Sequence, residues 1–183
     1  MAQTSRCNRV LTGLAPVYAN TARVLVLGSM PGARSLEAQA YYAHPRNAFW
    51  PIMGQLFDFP PELPYDRRLE QLRRNRVALW DVIGRCRRHG SLDQKVEPDS
   101  IVANDFRRMF AVCPEISLVA FNGQLAAQSF QRHVAPDLPE ALANMARVRL
   151  PSTSPAHAAM NFDRKLAAWR EALAPALSRS DAD

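Results

Sequence analysis

Ala22-Arg23-Val24-Leu25-Val26-Leu27-Gly28-Ser29-Met30-Pro31-Gly32 decides the fold class. A short aliphatic run gives way at Gly28 to small and turn-forming residues, which reads as a buried strand over Ala22–Leu27 stopped by a tight turn. Three further runs have the same form: Arg76–Ile83, Ile116–Phe121 and the shorter Arg147–Leu150. None alternates cleanly between apolar and polar, as expected of parallel strands covered on both faces.

Helical stretches lie between these runs. Asn47 can cap Ala48–Phe57, where Pro51 is tolerable because the first turn's N–H groups have no intrahelical partner. Tyr65–Asn75 carries Leu69 and Leu72 on one face; Asn104 can cap the helix of Phe106, Met109 and Phe110; Gln124–His133 follows the third strand; Asn161 can cap Phe162–Leu173, with Leu166, Trp169 and Leu173 at helical spacing. Pro60, Pro61 and Pro64 mark a long loop. The alternation predicts an α/β layered fold with four parallel strands, in one domain over residues 1–183 whose arm (1–9) and tail (178–183) are expected to fray.

Composition narrows the function. Hydrophobic residues at 48% and charged residues at 22% exclude a disordered or fibrous chain. Lys and Arg total 23 against 17 Asp and Glu, a formal charge of +6, with Lys95 and Lys165 the only lysines. That excess suits a polyanionic partner, although a bias toward Ala and Arg explains it equally well. Arg67, Arg68, Arg73, Arg74, Arg85, Arg87 and Arg88 are either phosphate contacts or a solvated face. Cys7, Cys86 and Cys113 are odd in number, far apart and without a C-x-x-C pair. They form neither a disulfide framework nor a four-thiolate metal site, and a reducing cytoplasm is expected. No stretch approaches the length of a membrane span and no signal-peptide order opens the chain.

In open α/β sheets ligands bind outside the carboxyl ends of the strands. The segments there are Gly28-Ser29-Met30-Pro31-Gly32, then Asp81, then Asn122-Gly123, then Pro151-Ser152-Thr153-Ser154-Pro155-Ala156-His157. Gly28 and Gly32 allow close backbone approach to a ligand. Neither G-x-x-x-x-G-K-[ST] nor G-x-G-x-x-G occurs, which argues against a nucleotide hydrolase. Between the first two strands stands Tyr41-Tyr42-Ala43-His44-Pro45-Arg46-Asn47-Ala48-Phe49-Trp50, dense in groups that stack on a heterocycle, align water or hold phosphate. Phe49 and Trp50 read as core. A Ser154, His157, Asp81 triad can be drawn, but no G-x-S-x-G elbow supports a serine hydrolase.

Together these blocks resemble the uracil-DNA glycosylase superfamily, and most closely its hypoxanthine (deoxyinosine) branch. The likeness is carried by Gly28-Ser29-Met30-Pro31-Gly32 with Ser35-Leu36, by Tyr41 to Trp50, and by Leu150-Pro151-Ser152-Thr153-Ser154-Pro155-Ala156. It implies a three-layer α/β/α sandwich around a short, mainly parallel four-stranded sheet. It also implies a monofunctional enzyme, without metal or other cofactor, that flips a deaminated base out of double-stranded DNA and leaves an abasic site. A monomer working on DNA in the cytoplasm, with no membrane partner, is expected. By position Tyr42 would stack on the flipped base. Uracil-excising branches carry Asp or Asn where Met30 stands, and His or Asn where Leu150 stands; Asn47 therefore takes over the handling of water, and hypoxanthine is the expected target. Gly28, Ser29 and Gly32 are assigned to backbone contacts with the base, Asp81 and Asn122 to its edge, and Ser152, Thr153, Ser154, His157 and Arg46 to phosphates or the gap that flipping leaves. The alternatives are a mismatch-specific uracil or thymine glycosylase of the same fold, and an inactive lesion-binding module.

Overall fold

The computed structural model describes residues 10–88 and 96–178. The arm with Cys7, the stretch with Lys95 and the tail beyond Ser178 lie outside the described residues.

Four strands form a parallel sheet: β2 (Val24–Gly28), β3 (Val77–Asp81), β6 (Leu118–Asn122) and β7 (Ala146–Leu150), in the order β3-β2-β6-β7. Every residue of β2 and β3 is buried, the burial that the unbroken apolar runs called for. Edge strand β7 is largely exposed until Leu150.

Helices cover both faces. On one side α2 (Phe49–Phe57) and α7 (Phe162–Leu177) meet through the edge-to-face rings of Phe49 and Trp169. Beside them α3 (Tyr65–Arg74) brings Tyr65 against Trp50. On the other side α4 (Phe106–Val112) and α5 (Gln124–His133) pack Phe106 and Phe130 onto Trp80 of β3 and Phe121 of β6. Fully burying such an aromatic ring contributes about 2–3 kcal/mol, so these contacts fix the three layers. Phe49 and Trp50 are core residues, as expected.

The run Arg76–Ile83 is not one strand. It ends in the parallel sheet at Asp81, passes Val82 and enters β4 (Ile83–Arg87), the centre of a second, antiparallel sheet with β1 (Val10–Thr12) and β5 (Val102–Ala103). A continuous apolar run hides the change of sheet because both halves are buried. Short helices α1 (Ala33–Ala38) and α6 (Glu140–Ala143) complete the fold.

The caps differ in detail from expectation. Asn161 accepts from the Arg164 N–H as expected, and α7 continues past Leu173 and through Pro175 to Leu177. At α4 the cap is Asp105, which accepts from the Arg108 N–H, while Asn104 donates instead to the Asp81 carbonyl at 2.8 Å. No described helix is long and apolar enough to cross a membrane.

Candidate active site

The four parallel strands finish level. Gly28 lies beside Asp81, Leu27 beside Trp80 and Phe121, and Asn122 beside Leu150, so the loops that leave them begin along one edge.

At the β2 end, a Cβ on Gly28 would fall on Oδ1 of Asp81 and lie 3.2 Å from the Tyr42 hydroxyl. Only glycine lets the carboxylate and the phenol come this close to the backbone. Asp81 is 3% exposed. Tyr42 adopts φ +55°, a left-handed conformation that costs a bulky residue about 1–3 kcal/mol and is tolerated where the surroundings demand it. Its ring stacks on buried Phe49, with centroids 4.1 Å apart and planes at 27°. Preceding Tyr41 is buried and fixes the turn. Its hydroxyl donates to the Ala15 carbonyl at 3.0 Å, its N–H to the Tyr65 hydroxyl at 2.9 Å, and its carbonyl accepts from Trp50 Nε1 at 2.9 Å. Burial first, then the charge of Asp81, pushes the Tyr41 phenol far above the ordinary range, so it remains a neutral donor.

Asn47 stands at the head of α2. Its Oδ1 accepts from the Phe49 N–H at 3.0 Å, which fixes the amide and turns its NH2 group away from that bond. The helix cap itself is Ala48, one residue later than the expected cap Asn47, which forms an Asx turn instead. Phe49 thus receives Asn47 through its backbone and Tyr42 through its ring, so both residues touch Phe49. His44 Nδ1 accepts from the Arg46 N–H at 3.1 Å, and Arg46 is exposed.

The first loop is anchored on the small sheet. The Gly28 and Ser29 carbonyls accept from the N–H groups of Val82 and Ile83 at 2.9 Å each. The Pro31 carbonyl accepts from buried Arg88 at 2.7 Å. Met30 packs with Ile83 and Cys86 in a small separate core. Met30 is therefore an anchor, and Ser29 is buried at 7% exposure. A Cβ on Gly32 would meet nothing within 4 Å, so open space lies over the end of the loop.

The last loop departs most from expectation. Asn122, expected at the edge of the base, spends both ends of its amide on Thr153: Nδ2 donates to Oγ1 and Oδ1 accepts from the N–H, each at 2.8 Å. Thr153, expected at phosphates, is 1% exposed and faces Asn122. Ser152 Oγ accepts from the Ser154 N–H and Ser154 Oγ from the Ala156 N–H, both at 3.2 Å, so each hydroxyl keeps its proton to donate. His157 is half-buried. Two donors on α7 fix this loop: Trp169 Nε1 to the Pro151 carbonyl at 3.1 Å and Lys165 Nζ to the His157 carbonyl at 2.9 Å. Burial lowers the Lys165 ammonium from its ordinary value. The sequence reading placed Arg88 on phosphates or a solvated face, whereas it is buried on the first loop, and it gave Lys165 no role; a lysine four residues before Trp169, on that residue's buried face, was the available signal. Arg67 and Arg74 pair with Glu70, Arg68 lies 4.6 Å over the Trp50 ring, and Arg87 pairs with Glu97 at 2.7 Å. The drawn triad gains no support, since Ser154 Oγ bonds a backbone N–H and Asp81 lies against Gly28 and Tyr42.

Two proteins named hypoxanthine DNA glycosylase are similar to the chain over 117 residues, 63% of this chain and 73% of theirs. One, from Methanosarcina barkeri, is 36% identical, and the other, from Methanosarcina acetivorans, is 34% identical. A solution NMR structure of a Methanosarcina acetivorans protein, provisionally assigned as a uracil DNA glycosylase, superposes with a TM-score of 0.71 at 29% identity, covering 89% of this chain and 98% of that one. The model of the uracil DNA glycosylase superfamily matches residues 15–177, and the chain belongs to that superfamily.

Proposed function

We propose that this protein is a monofunctional DNA glycosylase that hydrolyses the N-glycosidic bond of deoxyinosine and releases hypoxanthine. The observation that carries the reading is the convergence of the Tyr42 hydroxyl and the Asp81 carboxylate over the bare Cα of Gly28, beside an asparagine held at the same aromatic residue.

Flipping costs a few kcal/mol, least for a poorly paired base. The flipped purine stacks on the face of Tyr42 that Phe49 leaves. Deamination of adenine turns N1 from an acceptor into an N–H donor and the 6-amino group into a carbonyl. A carboxylate oxygen of Asp81 accepts from that N1–H and opposes the N1 lone pair of adenine. As the C1′–N9 bond lengthens, positive charge grows on the deoxyribose and negative charge on the base. Backbone N–H groups of the Gly28–Gly32 loop face the base, while DNA phosphates favour the sugar cation. Asn47 holds the water that adds to C1′, and its proton leaves toward phosphate and solvent. Arg46 and the hydroxyls of Ser152 and Ser154 grip phosphates, and His157 fills the space the base vacates. A uracil base also offers an imide N–H to Asp81, so the contest between bases is decided by pocket size and leaving-group handling.

The test is a panel of labelled duplexes holding inosine, uracil, xanthine or ethenocytosine, incubated with the purified protein and then treated with alkali. Strand cleavage greatest at inosine is expected; cleavage greatest at uracil favours the mismatch reading, and binding without any cleavage contradicts the activity.

A further inference from the structure

Asn122 closes β6, and Thr153 lies 31 residues further on in a different loop; the two are joined by both ends of the Asn122 amide. The connection continues. The Thr153 carbonyl accepts from the Ala48 N–H at 3.0 Å, and Ala48 directly follows Asn47. The first N–H groups of a helix have no partner within it, and here Thr153 supplies one. The Ala48 carbonyl in turn accepts from the Ile52 N–H at 2.9 Å, which opens α2. The position of Ala48 therefore sets where the helix starts, where the Phe49 N–H points, and how the Asn47 amide bonded to it is tilted.

We infer that Asn122 and Thr153 are positioning residues for catalysis, which fix the angle of the Asn47 amide through the peptide N–H of Ala48. The inference rests on the reading of Asn47 as the residue that holds the attacking water. A group that orients water is sensitive to displacements well under 1 Å, whereas the fold tolerates them. Thr153 needs its hydroxyl to accept from Asn122 and its N–H to donate to it, so serine preserves the bridge and valine removes half of it. Asn122, at the carboxyl end of β6, has both ends of its amide engaged by Thr153 in this arrangement.

The experiment measures the single-turnover rate of hypoxanthine release from a deoxyinosine duplex, and separately the affinity for that duplex. Wild type, Asn47→Ala, Asn122→Ala and Asn47→Ala/Asn122→Ala are compared. Asn122→Ala is expected to slow release by about 10-fold or more while affinity stays within about 3-fold. On the Asn47→Ala background it should cause no further loss, because two residues acting through one group are not additive. Thr153→Ser should release base at a near wild-type rate, and Thr153→Val should follow Asn122→Ala. Equal losses in both backgrounds, a loss confined to affinity, or no loss would overturn the inference while leaving the role of Asn47 intact. An Asn47→Ala variant of normal rate would remove that role and the inference with it. Should Asn122→Ala fail to fold, Thr153→Val in the two backgrounds carries the same comparison.

Discussion

Tyr42 shows how residue-scale geometry exposes a site. An aromatic residue at φ +55° is unfavourable unless something holds it there, and here Phe49 under the ring and Gly28 beside the hydroxyl do so. Gly28→Ala should therefore abolish measurable base release, since its Cβ meets the Asp81 carboxylate, with thermal melting to show that the fold persists. Met30 makes the opposite case. Its side chain is packed against Ile83 and Cys86, so Met30→Asn buries an unpaired amide. The variant should lose about 1–3 kcal/mol of stability in urea unfolding and gain no uracil excision. Gly28, Tyr42, Asp81 and Asn47 were named from local motif chemistry; the structure brings the first three together, and both Tyr42 and Asn47 touch Phe49. The bond between Asn122 and Thr153 was not legible, because an amide that turns inward to a partner 31 residues away looks, in sequence, like one that faces a ligand.

At the scale of elements, the parallel strands lie within two residues of their sequence positions, most plainly β2 and β6, which are buried runs closed by small residues. The second sheet was invisible: β1 has three residues and β5 two, too short for a periodic signal, and β4 continues the apolar run of β3. Helix α7 does more than cover the sheet, since Lys165 and Trp169 hold the last loop by its carbonyls. Lys165→Met should leave the His157 carbonyl unsatisfied, cost about 1–3 kcal/mol and weaken DNA affinity. A pH series of unfolding measurements gives its signature. Because burial lowers the Lys165 pKa from 10.5, the folded protein releases this proton before the unfolded chain does. Stability from this group therefore rises as pH climbs from the folded value to 10.5 and is lost as pH falls back through the folded value. The variant should lack that rise.

For the molecule as a whole, the three layers bring four loops to one edge, and the small sheet anchors the first of them through Met30 and Arg88. The layers were readable from the order of elements. The pairing of charge was not, because the sequence left Arg67, Arg74 and Arg87 open between phosphate contacts and a solvated face, and their ion pairs with Glu70 and Glu97 appear only in the fold. The account as a whole turns on water held by Asn47 beside a purine stacked on Tyr42. Its most direct test is single-turnover release of hypoxanthine from a deoxyinosine duplex by the wild type and by Asn47→Ala. Release by the wild type and a loss of about 100-fold or more in the variant, with DNA affinity retained, is predicted. Near-normal release by the variant would contradict it.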